Sequence, residues 1–179
     1  MTRSYALAAV ITLAAATVLR AQAPQQPPKP GPELQKLAYF AGKWTSTGEM
    51  KPGPMGPGGK MATTTNCEWF PGGFFLVCHD EGASPGGPTQ TLGILGYNGE
   101  RKRYTYYVID NGGHGDLVHG ELAGDTWNWE GESLMGGQTV KHRCVNKQLA
   151  ADSHTWRCEM AIGGGAWTVT SEGTSTRVK

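Results

Sequence analysis

The stretch NCEWFPGGFFLVCHD, residues 66–80, places two cysteines at equal distances from a Gly-Gly pair. If the chain turns at Gly72 and Gly73, the flanking segments pair as an antiparallel hairpin and Cys67 lies directly opposite Cys78. Directly opposed Cα atoms are roughly 4.5 to 5.5 Å apart, which is within the range that a disulfide bridges. The stretch therefore predicts a β-hairpin crosslinked by a disulfide.

A second pair of cysteines fits the same pattern farther along the chain. Placing Cys144 opposite Cys158 leaves Ala150 to Asp152 as the connecting loop. In that register one face carries Val140, His142, Cys144, Trp156, Cys158, Met160 and Ile162, and the other carries Lys141, Arg143, Lys147, Arg157 and Glu159. Because charged side chains face water, the cysteine face is predicted to be the interior.

The four cysteines are therefore predicted to form two disulfides, Cys67 with Cys78 and Cys144 with Cys158. Zinc binding is the alternative for four cysteines. Structural zinc sites bring two ligands together in a close C-x-x-C spacing, which neither pair has. Disulfides are thus favoured, and no metal site is predicted.

The N-terminal segment indicates export. Residues 1–23 combine an early Arg3, an apolar run over residues 6–19 and a closing Ala-Gln-Ala, which is typical of a secretory signal peptide. The apolar run is shorter than the roughly 20 residues of a membrane span. We expect a signal peptide over 1–23, a proline-rich linker over 24–32 and a single domain over 33–179, located in the periplasm or outside the cell.

Charge and length narrow the class of protein. Removing residues 1–23 leaves 14 Lys and Arg against 15 Asp and Glu, so the mature chain is close to neutral. No basic patch interleaved with aromatic residues emerges, so nucleic acid is not an expected partner. The remaining length is that of one domain with a real core.

The rest of the chain reads as one short helix followed by strands. Leu34, Leu37, Ala38 and Ala41 recur at helical spacing, which predicts a helix or turn over residues 33–40. Alternating apolar residues then predict ten strands, at about 43–50, 61–70, 74–81, 89–97, 103–110, 115–122, 126–132, 138–146, 154–162 and 166–175. The glycine-rich links between them are short, so neighbouring strands are antiparallel. An up-and-down meander of this size is predicted to close into a β-barrel.

Alternation assigns further residues to the interior. The predicted turns place Val118, Leu122, Trp127, Trp129, Trp167, Val169 and Ser171 inside. His114 and Asp116 lie beside a glycine turn and are predicted to be solvated. The segment Tyr104 to Tyr107 is expected to form an exposed aromatic strip.

The aromatic interior predicts a cavity for a small apolar or amphipathic molecule. The residues expected to line it are His142, Trp69, Trp127, Trp129, Trp156 and Met160. His142 has other interpretations: a core histidine bonded to Gln138, Ser171 or water, or a ligand of a haem iron in a redox protein. A barrel filled with side chains, acting as a structural or partner-binding envelope protein, is the third alternative.

No pattern for catalysis is present. The sequence contains neither a G-x-G-x-x-G loop opening a helix nor an H-E-x-x-H motif, and no paired-carboxylate site can be assigned. No catalytic residue and no resident cofactor are therefore predicted.

Several segments carry a resemblance to known proteins. LAYFAGKW, with Gly42 and Trp44, resembles the opening of lipocalin-like barrels, in which a basic residue near the last strand covers the tryptophan; Arg177 is in position to do so. PGPELQKLAYFAGKW, CEWFPGGFFLVC, LGILGYNGERKRYTYY and GDTWNWEGE resemble an exported bacterial family known as domain of unknown function 1579. The resemblance implies a calycin-type barrel and brings no substrate or catalytic residue with it.

Overall fold

The computed structural model describes residues 28–54 and 56–179 and shows a closed barrel of ten antiparallel strands. A short helix α1 (Pro32–Lys36) and a 3₁₀ turn (Leu37–Phe40) precede the barrel. The strands are β1 (Gly42–Met50), β2 (Gly59–Trp69), β3 (Leu76–Ser84), β4 (Gly87–Asn98), β5 (Arg103–Asp110), β6 (Gly115–Ala123), β7 (Thr126–Met135), β8 (Gln138–Ala150), β9 (Ser153–Ile162) and β10 (Thr168–Arg177). Each strand pairs with its neighbours in sequence, and β1 pairs with β10 to close the ring. The predicted all-β fold is confirmed, whereas the predicted signal peptide lies outside the described residues.

Both cysteine hairpins have the predicted register. Cys67 lies opposite Cys78 across β2 and β3, and Cys144 lies opposite Cys158 across β8 and β9. Each pair forms a disulfide, with Cα atoms 4.0 and 4.1 Å apart. Successive side chains of a strand alternate between its faces. These two crosslinks therefore determine which side chains of the four strands point inward.

The turns of the two hairpins differ from the prediction. In the first, the Phe70 N–H donates to the Phe75 carbonyl at 2.8 Å and the Gly73 N–H donates to the Phe70 carbonyl at 2.9 Å, so residues 71–74 form a four-residue loop. In the second, a bulge between Gln148 and Ala150 shortens the loop to two residues. Neither change alters the pairing of the cysteines, since both lie beyond them.

A second bulge overturns part of the predicted interior. Trp167 and Val169 were expected to face inward, but Trp167 is 41% exposed and Val169 lies opposite the outward residue Glu159. The register shifts between Val169 and Ser171, and Ser171 does face the interior. One extra residue reverses the alternation on its N-terminal side. Trp167 instead packs beneath the Arg143 guanidinium, whose Cζ lies 4.3 Å from the ring centroid.

The N-terminal helix closes one end of the barrel. Leu37, Leu76 and Trp127 are fully buried there. The Tyr104 hydroxyl lies 3.0 Å from a carboxylate oxygen of Glu33 and ties α1 to β5. We call this end the floor.

Arg177 covers Trp44 at the floor, as the resemblance to lipocalin-like barrels implied. Its Cζ lies 4.3 Å from the Trp44 ring centroid. The same guanidinium donates to the carbonyl oxygens of Tyr39, at 2.6 Å, and of Ala41. These contacts hold β10 against the segment that leads into β1.

Candidate functional site

The barrel interior contains a cavity of about 620 Å³. All ten strands contribute to its wall, and both disulfides lie in it. The aromatic lining residues are Phe40, Trp44, Tyr106, Trp129 and Trp156, and the titratable residues besides Tyr106 are Asp80, Asp116, His142 and His154. A volume of this size is within the range of small-molecule sites, roughly 300 to 1,000 Å³.

Glycines in the strands keep this space open. A Cβ atom on Gly120 would collide with the Trp129 ring, which lies on the opposite strand. The Trp156 ring lies 2.7 Å from the Cβ position of Gly48 and 2.5 Å from that of Gly173. Both indoles therefore lie against the barrel wall where no side chain competes, and the centre of the barrel stays empty.

The structure brings three of the six predicted lining residues into this cavity: His142, Trp129 and Trp156. Trp127 and Trp69 belong to the packed core at the floor. Met160 lines a separate recess of about 170 Å³ beside residues 51–54. The alternation along a strand predicts whether a side chain points inward or outward. It does not predict the position along the barrel axis, which decides whether an inward side chain lines the cavity or packs at the floor.

The imidazole of His142 pairs with a carboxylate that was predicted to be solvated. Its Nε2 lies 2.9 Å from Oδ2 of Asp116, and both side chains are about three-quarters buried. The ring lies over Gly131 of β7, where a Cβ would collide with it, and so reaches from β8 to β6. Asp116 faces inward because β6 begins at Gly115, so the strand alternation already applies there. His114, in contrast, is solvated as predicted.

Asp80 is a cavity residue that the sequence reasoning missed. It lies on β3 opposite Thr65 and Thr91, and all three side chains line the cavity. Burial raises the pKa of the Asp80 carboxyl, and a hydrogen bond with the Thr65 side chain offsets part of this effect. Burial also raises the pKa of the Tyr106 phenol, and the nearby Asp80 charge raises it further. The available signal was the spacing, since Asp80 follows Cys78 by two residues on the same face.

His154 lies where the cavity meets the floor. Its ring centroid is 5.0 Å from that of Trp44 and 5.9 Å from those of Tyr39 and Phe40. Among the described residues its buried Nδ1 has no hydrogen-bond partner. Burial, with a further contribution from the positive charge of Arg177, lowers the pKa of His154 to about 4. The imidazole is therefore neutral at neutral pH.

The burial of His154 predicts that the folded protein loses stability in acid, and that His154→Phe removes this loss. The unfolded histidine takes up a proton below its ordinary pKa of 6.5, whereas the folded one does so only near 4. The free energy of unfolding should thus fall as the pH drops from 6.5 to 4, by roughly 3 kcal/mol at 1.36 kcal/mol per pKa unit. Urea denaturation of the unsubstituted protein and of His154→Phe between pH 4 and 7 measures how the stability of each depends on pH. A gap between the two proteins that stays constant with pH would contradict it.

The outer surface carries an apolar patch on strands β3 to β6. Val77, Ile94, Tyr107 and Leu117 lie side by side in one cross-strand row, and Leu92 and Ile109 lie in the next. Tyr107 is 52% exposed and Ile109 is 56% exposed. The predicted strip Tyr104 to Tyr107 is corrected accordingly: Tyr104 is buried in the core and Tyr106 lines the cavity. We call these six residues the outer patch.

The described residues contain neither a candidate metal site nor a candidate membrane-spanning helix. No group of three or more His, Cys, Asp or Glu residues within 28–54 and 56–179 could hold a metal ion. Across the same residues, no helix has both the length and the apolar character to cross a membrane.

The fold is a closed β-barrel of ten antiparallel strands around an interior cavity. The chain belongs to the family described as Protein of unknown function (DUF1579), whose model matches residues 29–177. No curated protein matches the chain.

Two solved structures share the fold. The crystal structure of Rv2717c from M. tuberculosis is 15% identical with a TM-score of 0.61, covering 83% of this chain and 99% of that one. The S-type phycobiliprotein lyase CPES from Guillardia theta is 12% identical with a TM-score of 0.51, covering 81% of this chain and 92% of that one. At these identities the likeness establishes the fold alone.

Proposed function

We propose that this protein is an exported barrel that binds a small apolar or amphipathic molecule inside its cavity, without a resident cofactor. The observation that carries this proposal is the space of about 620 Å³ that Trp129 and Trp156 help to line. A concave, mostly apolar site with a few convergent polar groups is the usual form of a small-molecule site. The polar groups here include the ionisable side chains of Asp80, Asp116 and His142.

Export is supported by two independent features. Both disulfides are formed, and no free cysteine occurs among the described residues. Disulfides persist in oxidising compartments such as the periplasm and the extracellular space. Residues 1–23 have the pattern of a secretory signal peptide. We therefore place the mature protein in the periplasm or outside the cell.

Titration with a neutral fluorescent probe tests the binding proposal. The chain beginning at residue 24, with its disulfides formed, is titrated with N-phenyl-1-naphthylamine. Binding in the cavity brings the probe close to Trp129 and Trp156, so we expect saturable uptake of one probe per chain with quenching of tryptophan fluorescence. An emission that rises without saturation, or no change at all, would overturn the proposal.

Haem binding remains a distinct alternative, with His142 as the iron ligand. It requires a nitrogen of that imidazole to be free, and Nε2 is the atom that contacts Asp116. Added haemin that produces a sharp Soret band, abolished by His142→Ala, would favour this alternative. Without such a band, non-covalent binding of an apolar molecule is the better account.

Partner binding is a second candidate function, and the outer patch favours it. Contiguous apolar side chains on a surface often mark interaction sites, and Tyr107 and Ile109 are the most exposed residues of this patch. A second copy of the chain is the simplest partner to test. Sedimentation equilibrium should show a dimer that Tyr107→Glu dissociates; a monomer at all concentrations would remove self-association as a function.

A further inference from the structure

The cavity carries negative charge without a matching cation. Its lining contains two carboxyl groups, Asp80 and Asp116, and neither Lys nor Arg. Asp116 has His142 as its partner at 2.9 Å, and His154 is neutral at neutral pH. Asp80 faces the hydroxyl-bearing side chains of Thr65 and Thr91 across the neighbouring strands. Among the lining residues, Asp80 is thus the carboxyl group that has no basic partner.

We propose that the natural ligand is an organic cation, an apolar or aromatic body bearing a positively charged nitrogen, and that Asp80 binds this nitrogen. The inference rests on the proposed function, because it names the class of ligand for the same cavity. A carboxylate and a cationic nitrogen form charge-assisted hydrogen bonds, which are about twice as strong as neutral ones. At the partly buried position of Asp80, such a pair also selects against ligands of the wrong charge.

The aromatic walls fit the same class of ligand. The Trp129 ring lies against Gly120, and the Trp156 ring lies against Gly48 and Gly173. Both indoles also line the cavity. The face of an indole carries partial negative charge and attracts cations. Both the charged and the aromatic groups of the cavity therefore favour a positive ligand.

The titration behaviour of Asp80 is consistent with a missing positive partner. Burial raises the pKa of its carboxyl despite the hydrogen bond with Thr65 and the charge of the neighbouring His79 on the outer face. The ionised form is therefore only partly compensated by its protein surroundings. A ligand ammonium group would supply the rest of that compensation.

The same charges disfavour anionic ligands. A fatty acid or an organic sulfonate would bring a second negative charge into a space that has no Lys or Arg in its lining. Like charges in a medium of low dielectric constant repel strongly, and desolvation of the anion would add to the cost. We therefore expect the affinity to follow the order cation, neutral molecule, anion.

Three ligands of matched shape test this order: 2-naphthylmethylamine, 2-naphthylmethanol and 2-naphthoate. Isothermal titration calorimetry at pH 7.5 measures their binding to the mature, disulfide-bonded chain. We expect the amine to bind at least about tenfold more tightly than the alcohol, because a charge-assisted hydrogen bond is roughly twice as strong as a neutral one. The naphthoate is expected to bind at least about tenfold more weakly than the alcohol, because its carboxylate adds a second negative charge.

Two variants separate the role of Asp80 from a general effect of charge. Asp80→Asn should reduce the affinity for the amine about tenfold and reduce the affinity for the alcohol by a much smaller factor, because the alcohol forms only a neutral hydrogen bond there. Glu81→Gln removes the same charge from the next residue of β3, which is exposed on the outer face, and should change neither affinity. Retained binding of the alcohol also shows that the Asp80→Asn chain has folded.

The outcomes distinguish this inference from the proposed function. If none of the three compounds binds and the neutral fluorescent probe also fails to bind, the cavity proposal itself is wrong. If the alcohol binds but the amine is no tighter, or if Asp80→Asn leaves the amine affinity intact, small-molecule binding stands and the organic-cation class is overturned. Preferential binding of the naphthoate would overturn it as well.

Discussion

Opening both disulfides is expected to lower the free energy of unfolding by about 6 kcal/mol. The bonds join cysteines 11 and 14 residues apart, and loops of these lengths correspond to about 3 kcal/mol each in the chain-entropy account. The two hairpins share no strand, so the contributions should add. A typical domain has a net stability of about 5–15 kcal/mol, so the reduced protein should be marginal or unfolded.

Urea denaturation of the oxidised and the reduced protein measures this loss. Cys67→Ala with Cys78→Ala, and separately Cys144→Ala with Cys158→Ala, should each remove about half of it. Cys67 and Cys78 are buried, so the first variant also loses packing at the floor. A reduced protein that unfolds at the same urea concentration as the oxidised one would contradict the stabilising role.

Filling part of the cavity from its wall is expected to weaken ligand binding strongly. Thr63 lines the cavity from β2, and Thr63→Trp would place an indole in the space that the ligand occupies. Because a bound molecule and this side chain compete for the same volume, we expect the affinity for N-phenyl-1-naphthylamine to fall at least about tenfold, a loss of 1.4 kcal/mol or more. Probe titration of the variant measures the effect.

Thr64→Trp is the matched control. Thr64 is the next residue of the same strand, and its side chain points outward because its two neighbours line the cavity. The same substitution there adds the same indole to the outer surface and should leave the affinity for the probe unchanged. An equal loss of affinity in both variants would mean that tryptophan on β2 disturbs the barrel. An unchanged affinity in both variants would mean that the probe binds elsewhere.

The cysteine pairs explain why so much of the fold was predictable. A disulfide across two strands fixes which residues are opposed, and the twofold alternation of a strand then assigns each neighbour to a face. His142 and Trp156 were placed inside in this way, and both line the cavity. The same rule would have placed Asp80 there, two residues after Cys78.

Position along the barrel axis was not predictable in this way. Trp127 and Trp129 share a face of β7, but Trp127 is packed at the floor and Trp129 lines the cavity. The division depends on how far α1 and the 3₁₀ turn reach into the barrel, which is decided by contacts between distant parts of the chain. The pairing of His142 with Asp116 is similar, since it spans three strands and depends on Gly131 having no side chain.

The positions of β-bulges were the second feature that could not be predicted from the sequence. Trp167 and Val169 were assigned by unbroken alternation from a glycine-rich loop, and the register shift before Ser171 reversed both. Nothing in the local sequence distinguishes Thr170 as the extra residue. Its hydroxyl donates to the Cys158 carbonyl at 3.1 Å, a contact that exists only once β9 and β10 are paired.

Native mass spectrometry of the protein purified from the cells that produce it tests the central claim most directly, because it detects a bound molecule without any assumption about its identity. The account predicts a mass larger than that of the disulfide-bonded chain by one small molecule, which is released when the barrel is denatured. The bare mass of the chain, unchanged after incubation with N-phenyl-1-naphthylamine, would contradict it.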